Sequence, residues 1–156
     1  MQIRDYQRGD AEAIVQLFYE TIHTVNLGDY SPAQVDAWAP AVPDADAWHQ
    51  RMISRCTLVA ERGGEVIGFA DLEDDGHVDM FFCRHDTVRR GVGSRLYQAI
   101  EDAARGRGLD RLFLEASITA RPFFERQGFL VVAQNAFERN GVEITNFAME
   151  KLLAEA

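Results

Sequence analysis

Cysteine is scarce in this chain of 156 residues: only Cys56 and Cys83 occur, far apart and in no zinc or redox spacing, so a disulfide framework is not expected. The histidines, His23, His49, His77 and His85, also lack ligand spacing, and no metal is expected. Lysine is nearly missing, with none before Lys151, which excludes the Gly-x-x-x-x-Gly-Lys-Ser/Thr loop of phosphate-binding enzymes. No window approaches the uninterrupted apolar length of a membrane span, and MQIRDYQRGDAEA is charged from its fourth residue, unlike a secretion signal. A cytoplasmic protein without membrane partners is expected. Repeats, low-complexity stretches and linkers are absent, and the length suits one domain, 1–156.

Basic charge is also in short supply. A net charge of −9 argues against nucleic acid, whose phosphate backbone needs a basic face. Against that acidic background, residues 84–95 hold Arg84, Arg89, Arg90 and Arg95, opposed only by Asp86. The reversal coincides with Gly91 and Gly93, which points to a small anionic ligand rather than an idle solvated face.

What the chain does contain is alternating periodicity. QIRDY reads as a short strand, and Asp10 is placed to cap a helix with Ile14, Leu17, Phe18, Ile22 and Val25 on one face. Residues 26–43 break the pattern with three of the four prolines, and Ser31-Pro32 suits the start of a short helix. Asp44 or Asp46 caps another, carrying Trp48, Met52 and Ile53. TLVAER and EVIGFADLE are strands joined by Gly63-Gly64, and HVDMFFC, residues 77–83, follows as their antiparallel neighbour.

Val92, Leu96, Ile100, Ala103 and Ala104 trace the next helix face, ended by Gly106 and Gly108. RLFLEAS is then expected to pair in parallel with 77–83 through a right-handed crossover. A short helix over 120–127 and two strands around Asn140-Gly141 complete the chain. The expected fold is α+β: a mixed, mostly antiparallel central sheet of about seven strands, a parallel pair in its middle, flanked by about four to five helices.

The stretch HDTVRRGVGSRLYQAIE combines a strand end, a glycine loop and a helix start. Unpaired N–H groups of a first helical turn lie at the positive end of the helix dipole, and glycine admits an oxygen closely. A dinucleotide fingerprint would need a third glycine and a parallel strand upstream, and neither is present. VRRGVG at 88–93 resembles the Gln/Arg-x-x-Gly-x-Gly/Ala signature of the GNAT superfamily of N-acetyltransferases, except at Val88. ARPFFERQGF at 120–129 resembles a second block of that family, and the likeness covers essentially the whole chain. FADLEDDGHVDMFF and HTVNLGDYSPAQVDAWAP further resemble a bacterial subgroup, the YafP-like acetyltransferases.

The resemblance implies acetyl-CoA as cosubstrate, its pyrophosphate on the amides of Val88, Arg89, Arg90, Gly91, Val92, Gly93 and Ser94. Its pantetheine arm would lie beside Phe81, Phe82 and Cys83, between splayed fourth and fifth strands. The acetyl group passes directly to a primary amine of a small molecule or an exposed protein amine. Partners are therefore acetyl-CoA and an amine, with a homodimer through terminal strands such as the seventh as a further expectation. The acidic chain favours a cationic acceptor. A catalytically weak acyl-CoA-binding or sensor module of the same fold is the competing reading.

An aliphatic ammonium has a pKa of roughly 10 and must lose a proton before attack. Glu115 interrupts the apolar LFLEAS on a strand expected to be central, where burial would raise its pKa toward a useful range. It aligns with the base of relatives that modify protein N-termini, and Asp79 on the neighbouring strand is its rival. Phe124 stands where the family often has a tyrosine that protonates the thiolate, leaving water or a hydroxyl of Ser117 or Thr119. Phe124 and Ser117 would then border the cofactor. Cys83 is a small strand residue rather than an acyl carrier. His23, Asn26, Tyr30, Trp38 and His77 are candidate acceptor-wall residues, since long irregular connections tend to be functional.

Overall fold

A computed structural model of the protein describes residues 1–87 and 90–153. The chain opens with β1 (Gln2–Asp5) and α1 (Ala11–Thr24), which buries Ile14, Leu17, Phe18 and Ile22 on one face as its spacing requires. Asp10 does not cap α1 with its side chain. Its carboxylate instead accepts from Arg4 at 2.8 and 2.9 Å and from the Gln7 N–H at 2.8 Å, because the preceding tight turn and the Arg4 guanidinium reach it first. α2 (Pro32–Trp38) starts at Ser31, whose Oγ accepts the Gln34 N–H at 3.1 Å while Gln34 Oε1 accepts the Ser31 N–H at 2.9 Å, a capping box. α3 (Ala45–Ile53) is capped by Asp44, which accepts from the Ala47 N–H.

Strands β2 (Cys56–Arg62) and β3 (Glu65–Leu72) turn at Gly63 and Gly64, both with positive φ, as a two-residue hairpin of their twist demands. Then come β4 (Phe81–Cys83), α4 (Val92–Gly106), β5 (Arg111–Ala116) and α5 (Arg121–Arg126). A hairpin of β6 (Leu130–Arg139) and β7 (Val142–Leu152) turns at Asn140 and Gly141, with φ of 51° and 79°.

The strands form two sheets rather than the expected single seven-stranded one, in the orders β1-β2-β3-β4 and β5-β7-β6. Instead of a parallel pair in the middle there is one parallel bridge, His77 to Phe113, with Val78 N–H on Phe113 O at 2.9 Å and Phe113 N–H on Gly76 O at 3.1 Å. Regular strand survives only over Phe81–Cys83 of the expected 77–83. The cause lies in a bulge. Asp71 N–H meets Met80 O and Glu73 N–H meets His77 O, so two steps (71 to 73) face three (77 to 80). Asp71, 2% exposed, fixes the bulge by accepting both the Asp79 and Met80 N–H groups, at 3.0 and 2.9 Å. Gly76 closes the vertex at φ +97°, where a Cβ would stand 2.2 Å from Arg111 O.

From that vertex β4 and β5 diverge, and each ends its own sheet with one edge turned to the gap. A core of Ala70, Leu72, Leu96, Ile100, Leu112, Phe124, Phe129 and Met149 joins both sheets through α4 and α5. A second core packs Ile14, Leu17 and Ile22 of α1 on Val59 and Phe69. The seventh strand has no free edge, because β7 lies between β5 and β6; the open edge is that of β6, where Leu130 is 72% exposed. No described helix is long and apolar enough to cross a membrane.

Candidate active site

The gap between β4 and β5 opens into a cleft of about 1130 Å³. One mouth is bordered by Gly91, Gly93 and Ser94 at the start of α4 and by Phe123 of α5. Gly91 takes φ +80° as N-cap, and among the described residues no side chain caps the first turn of this 15-residue helix, whose N–H groups start at the mouth. A Cβ on Gly93 would meet the Phe123 ring at 3.1 Å, so the floor is as narrow as glycine permits. Val88 and Arg89 lie outside the described residues. The Arg90 side chain is exposed, whereas Val92 is 1% exposed, packs on Ala60 and Ile67, and offers the cleft no side chain. Arg84 is committed to Asp86 and Glu65, and Arg95 donates to Met1 O.

Along the walls lie Phe81, Phe82 and Cys83 from β4 and Glu115, Ser117 and Thr119 from β5 and the turn after it. The Cys83 thiol is pushed up to about 12 by burial, which leaves it without nucleophilic thiolate at neutral pH. Phe124 borders the cleft but belongs to the core, with ring centroids 5.3 Å from Phe81 and 5.4 Å from Phe129. Ser117 Oγ accepts the Ala120 N–H, while Thr119 Oγ1 is buried and has no hydrogen-bond partner among the described residues.

The two candidate carboxylates differ sharply. Asp79 accepts from Arg51 and, at 2.6 Å, from Arg55. Burial works to raise its pKa, but the bonds and charges of both arginines outweigh it and hold the carboxyl below the usual range. Glu115 is not buried as expected: its side chain is 44% exposed, because along β5 Leu112, Leu114 and Ala116 take the buried face and Glu115 falls on the opposite, more open one with Arg111 and Phe113. Its one hydrogen-bond partner among the described residues is His77, Nε2 to Oε1 at 2.7 Å. His77 Nδ1 lies 2.9 Å from Glu73 Oε1. Burial depresses the imidazole, yet hydrogen bonds and charges from Glu73 and Glu115 raise its pKa above the ordinary value.

The remaining acceptor-wall candidates divide. Asn26, Tyr30 and Trp38 line the cleft, whereas His23 and His77 do not. Tyr30 is spent on structure: its hydroxyl donates to Thr145 O and accepts the Ile118 N–H, both at 2.8 Å. His23 donates from Nε2 to Ala39 O at 2.7 Å, and its ring lies against Tyr19. Asn26 reaches Ser117 Oγ at 3.4 Å. Sequence reasoning missed Arg51, Arg55, Asp71 and Glu73. Their signal was there, since Arg51 and Arg55 are four apart, and Asp71 and Glu73 two apart on a strand.

Glu73, His77 and Asp79 also bring three ligand-type atoms within 4.8 Å of one another. Arg55 already occupies the place of a cation there, Nη1 being 2.6 Å from Asp79 and 3.4 Å from Glu73, and both His77 nitrogens are engaged. Among the described residues these donors form an ion-pair network around Arg55.

Among the described residues the two sheets meet at one parallel bridge, and a glycine-led helix start stands at the mouth of the gap between them; likeness to known proteins identifies this arrangement as an acetyltransferase. The chain belongs to the GNAT family: the Acetyltransferase (GNAT) domain matches residues 26–151. It is 34% identical to the uncharacterized N-acetyltransferase YafP of Escherichia coli (strain K12), over 96% of this chain and 94% of that one. A GCN5-related N-acetyltransferase from Rhodopseudomonas palustris superposes with a TM-score of 0.91 at 34% identity, covering 97% of this chain and 95% of that one. The acetyltransferase yncA of Salmonella typhimurium, determined with its cofactor acetyl-CoA, shares the fold at a TM-score of 0.75 and 21% identity, covering 100% and 95%.

Proposed function

We propose that the protein transfers acetyl from acetyl-CoA directly to a primary amine, with Glu115 as the base. The observation that carries this reading is that the uncapped start of α4 and the Glu115 carboxylate open on one cleft. A pyrophosphate fits the first, and the pantetheine amides fit the cleft-side edge of β4, which no strand covers. Glu115 takes one proton from the acceptor ammonium; the neutral amine attacks the thioester, the C–N bond forms, and the nitrogen sheds its second proton as the C–S bond breaks. Phe124 has no proton to give, so that second proton reaches the thiolate through water or through the hydroxyl of Thr119, which has no hydrogen-bond partner among the described residues. A thiol pKa of about 8.5 makes it a tolerable leaving group.

The acceptor is an amine whose remaining body is neutral or anionic, on a small molecule or at an exposed protein amine. Trp38, Pro40, Val42, Phe137 and Ile144 line its side of the cleft together with Arg51 and Arg139. Asp79, the other carboxylate there, is neutralised by two arginines, so a polycationic acceptor meets little attraction despite the acidic chain. Calorimetry with acetyl-CoA and with ATP, followed by acetyl-CoA consumption over amines of differing charge, tests the reading. Acetyl-CoA binding with turnover of neutral or acidic amines is expected; no acetyl-CoA binding at high micromolar concentration contradicts it.

A further inference from the structure

Each turnover at neutral pH converts an ammonium and a thioester into an amide, a thiol and one free proton. The ammonium loses two protons; the thiolate keeps one. With acetyl-CoA seated in the gap, the other must leave from beside Glu115. We infer that His77 and Glu73 form its exit, a relay through the vertex of the two sheets: Glu115 to His77 to Glu73 to solvent. This rests on the reading of Glu115 as base.

Position is the first support. His77 is the residue of the bridge itself, so its ring stands where the sheets meet rather than in the cleft, stacked on Phe113 at 5.0 Å between centroids. Its Nε2 faces Glu115 at 2.7 Å and its Nδ1 faces Glu73 at 2.9 Å. Glu115 lines the cleft and Glu73 does not, yet the Glu73 side chain is 33% exposed. The imidazole, 17% exposed, thus spans from the cleft to a solvated carboxylate.

The step balances without a further reagent. Neutral His77, protonated on Nδ1, accepts at Nε2 the proton that Glu115 has taken, and Glu115 is again a carboxylate. The imidazolium then releases its Nδ1 proton to Glu73, which passes it to water. Once products leave and the cleft fills with water, exchange restores the starting tautomer. His77 acts through Glu115 and is a positioning and relay residue.

Other charges face this ring too. Asp75 accepts the His77 backbone N–H at 3.1 Å, and Arg111 lies over the far Phe113 ring at 4.5 Å. Arg55 reaches Glu73 at 3.4 Å and, with Arg51, neutralises Asp79. The two carboxylates in direct contact outweigh these, and burial as well, since the imidazole holds its proton more tightly than usual. Relay requires the neutral ring, so activity should fall as pH drops through a value above about 6.5.

The test has two arms. Turnover of glycinamide and of a lysine-containing tetrapeptide is followed against pH for the wild type, His77→Gln and Glu73→Gln. Loss of the relay should lower kcat in His77→Gln about tenfold or more with acetyl-CoA KM little changed. Glu73→Gln keeps the backbone bonds of the vertex but removes the terminal acceptor and its charge on Arg55 and His77, so kcat should fall as well and the acid limb should move to lower pH, because one carboxylate no longer holds the imidazolium. Separately, NMR titration of the His77 ring needs no acceptor. Its pKa should lie above the ordinary value and fall in both Glu73→Gln and Glu115→Gln. Unchanged kcat and acid limb in both variants, or an ordinary His77 titration that neither carboxylate variant moves, overturns the relay. If neither amine is acetylated but the titration shifts as expected, the acceptor reading fails while the proton-sharing triad stands.

Discussion

The two walls of the cleft carry one acidic side chain each, and opposite surroundings suit them to the opposite duties that the proposed transfer assigns them. On the β4 side, Asp79 is clamped by Arg51 and Arg55 and holds its proton weakly. On the β5 side, Glu115 is half-exposed, and its one partner among the described residues is an imidazole. A carboxylate becomes an anchor when fixed cations neutralise it, and a proton acceptor when its one neighbour can itself pass a proton on. The bulge that Asp71 fixes and the tight Gly76 corner create this asymmetry, for they end the pairing of β4 with β5 and leave one acid on each edge.

Breaking the hinge should have the largest effect. Gly76→Ala places a Cβ against the Arg111 carbonyl at a φ hostile to side chains, so a loss of about 3 kcal/mol in urea unfolding is expected. Next comes Asp79→Asn, which takes from Arg51 its paired acid and leaves Arg55 with Asp71 and Glu73, and should cost about 2 kcal/mol by the same measurement at neutral pH. Because the Asp79 pKa is depressed in the folded state, that stabilisation is present above about pH 4 and is lost as pH falls through the folded value. The wild type and Asp79→Asn should therefore converge in acid.

Smaller effects separate the mouth from the floor. Gly93→Val crowds the Phe123 ring and should weaken acetyl-CoA binding about tenfold in calorimetry, roughly 1.4 kcal/mol, with the fold retained. The smallest concerns His77. Its folded pKa is raised, so its contribution to stability is complete below about pH 6.5 and fades as pH rises through the folded value. Unfolding titrations of the wild type against His77→Gln should differ most below that pH and draw together above it.

Local chemistry was readable where backbone conformation follows from residue type. Gly63-Gly64 and Asn140-Gly141 became the hairpins their positive φ values require, and Ser31-Pro32 and Asp44 became caps. What the sequence could not show was non-local. The division into two sheets depends on Asp71 reaching N–H groups eight and nine residues away and on Gly76 meeting Arg111. Glu115 looked buried because its flanks are apolar, yet an apolar strand reads the same whether it is central or an edge. Its bond to His77, 38 residues away in sequence, has no periodic signature at all.

The comparison of the two acids is tested most directly by kcat for Glu115→Gln and Asp79→Asn, measured together on one amine at saturating acetyl-CoA and neutral pH. Loss of the base should lower turnover about a hundredfold or more in Glu115→Gln, with acetyl-CoA affinity intact, while Asp79→Asn stays within about threefold of the wild type. Full turnover in Glu115→Gln with collapse in Asp79→Asn would contradict the assignment.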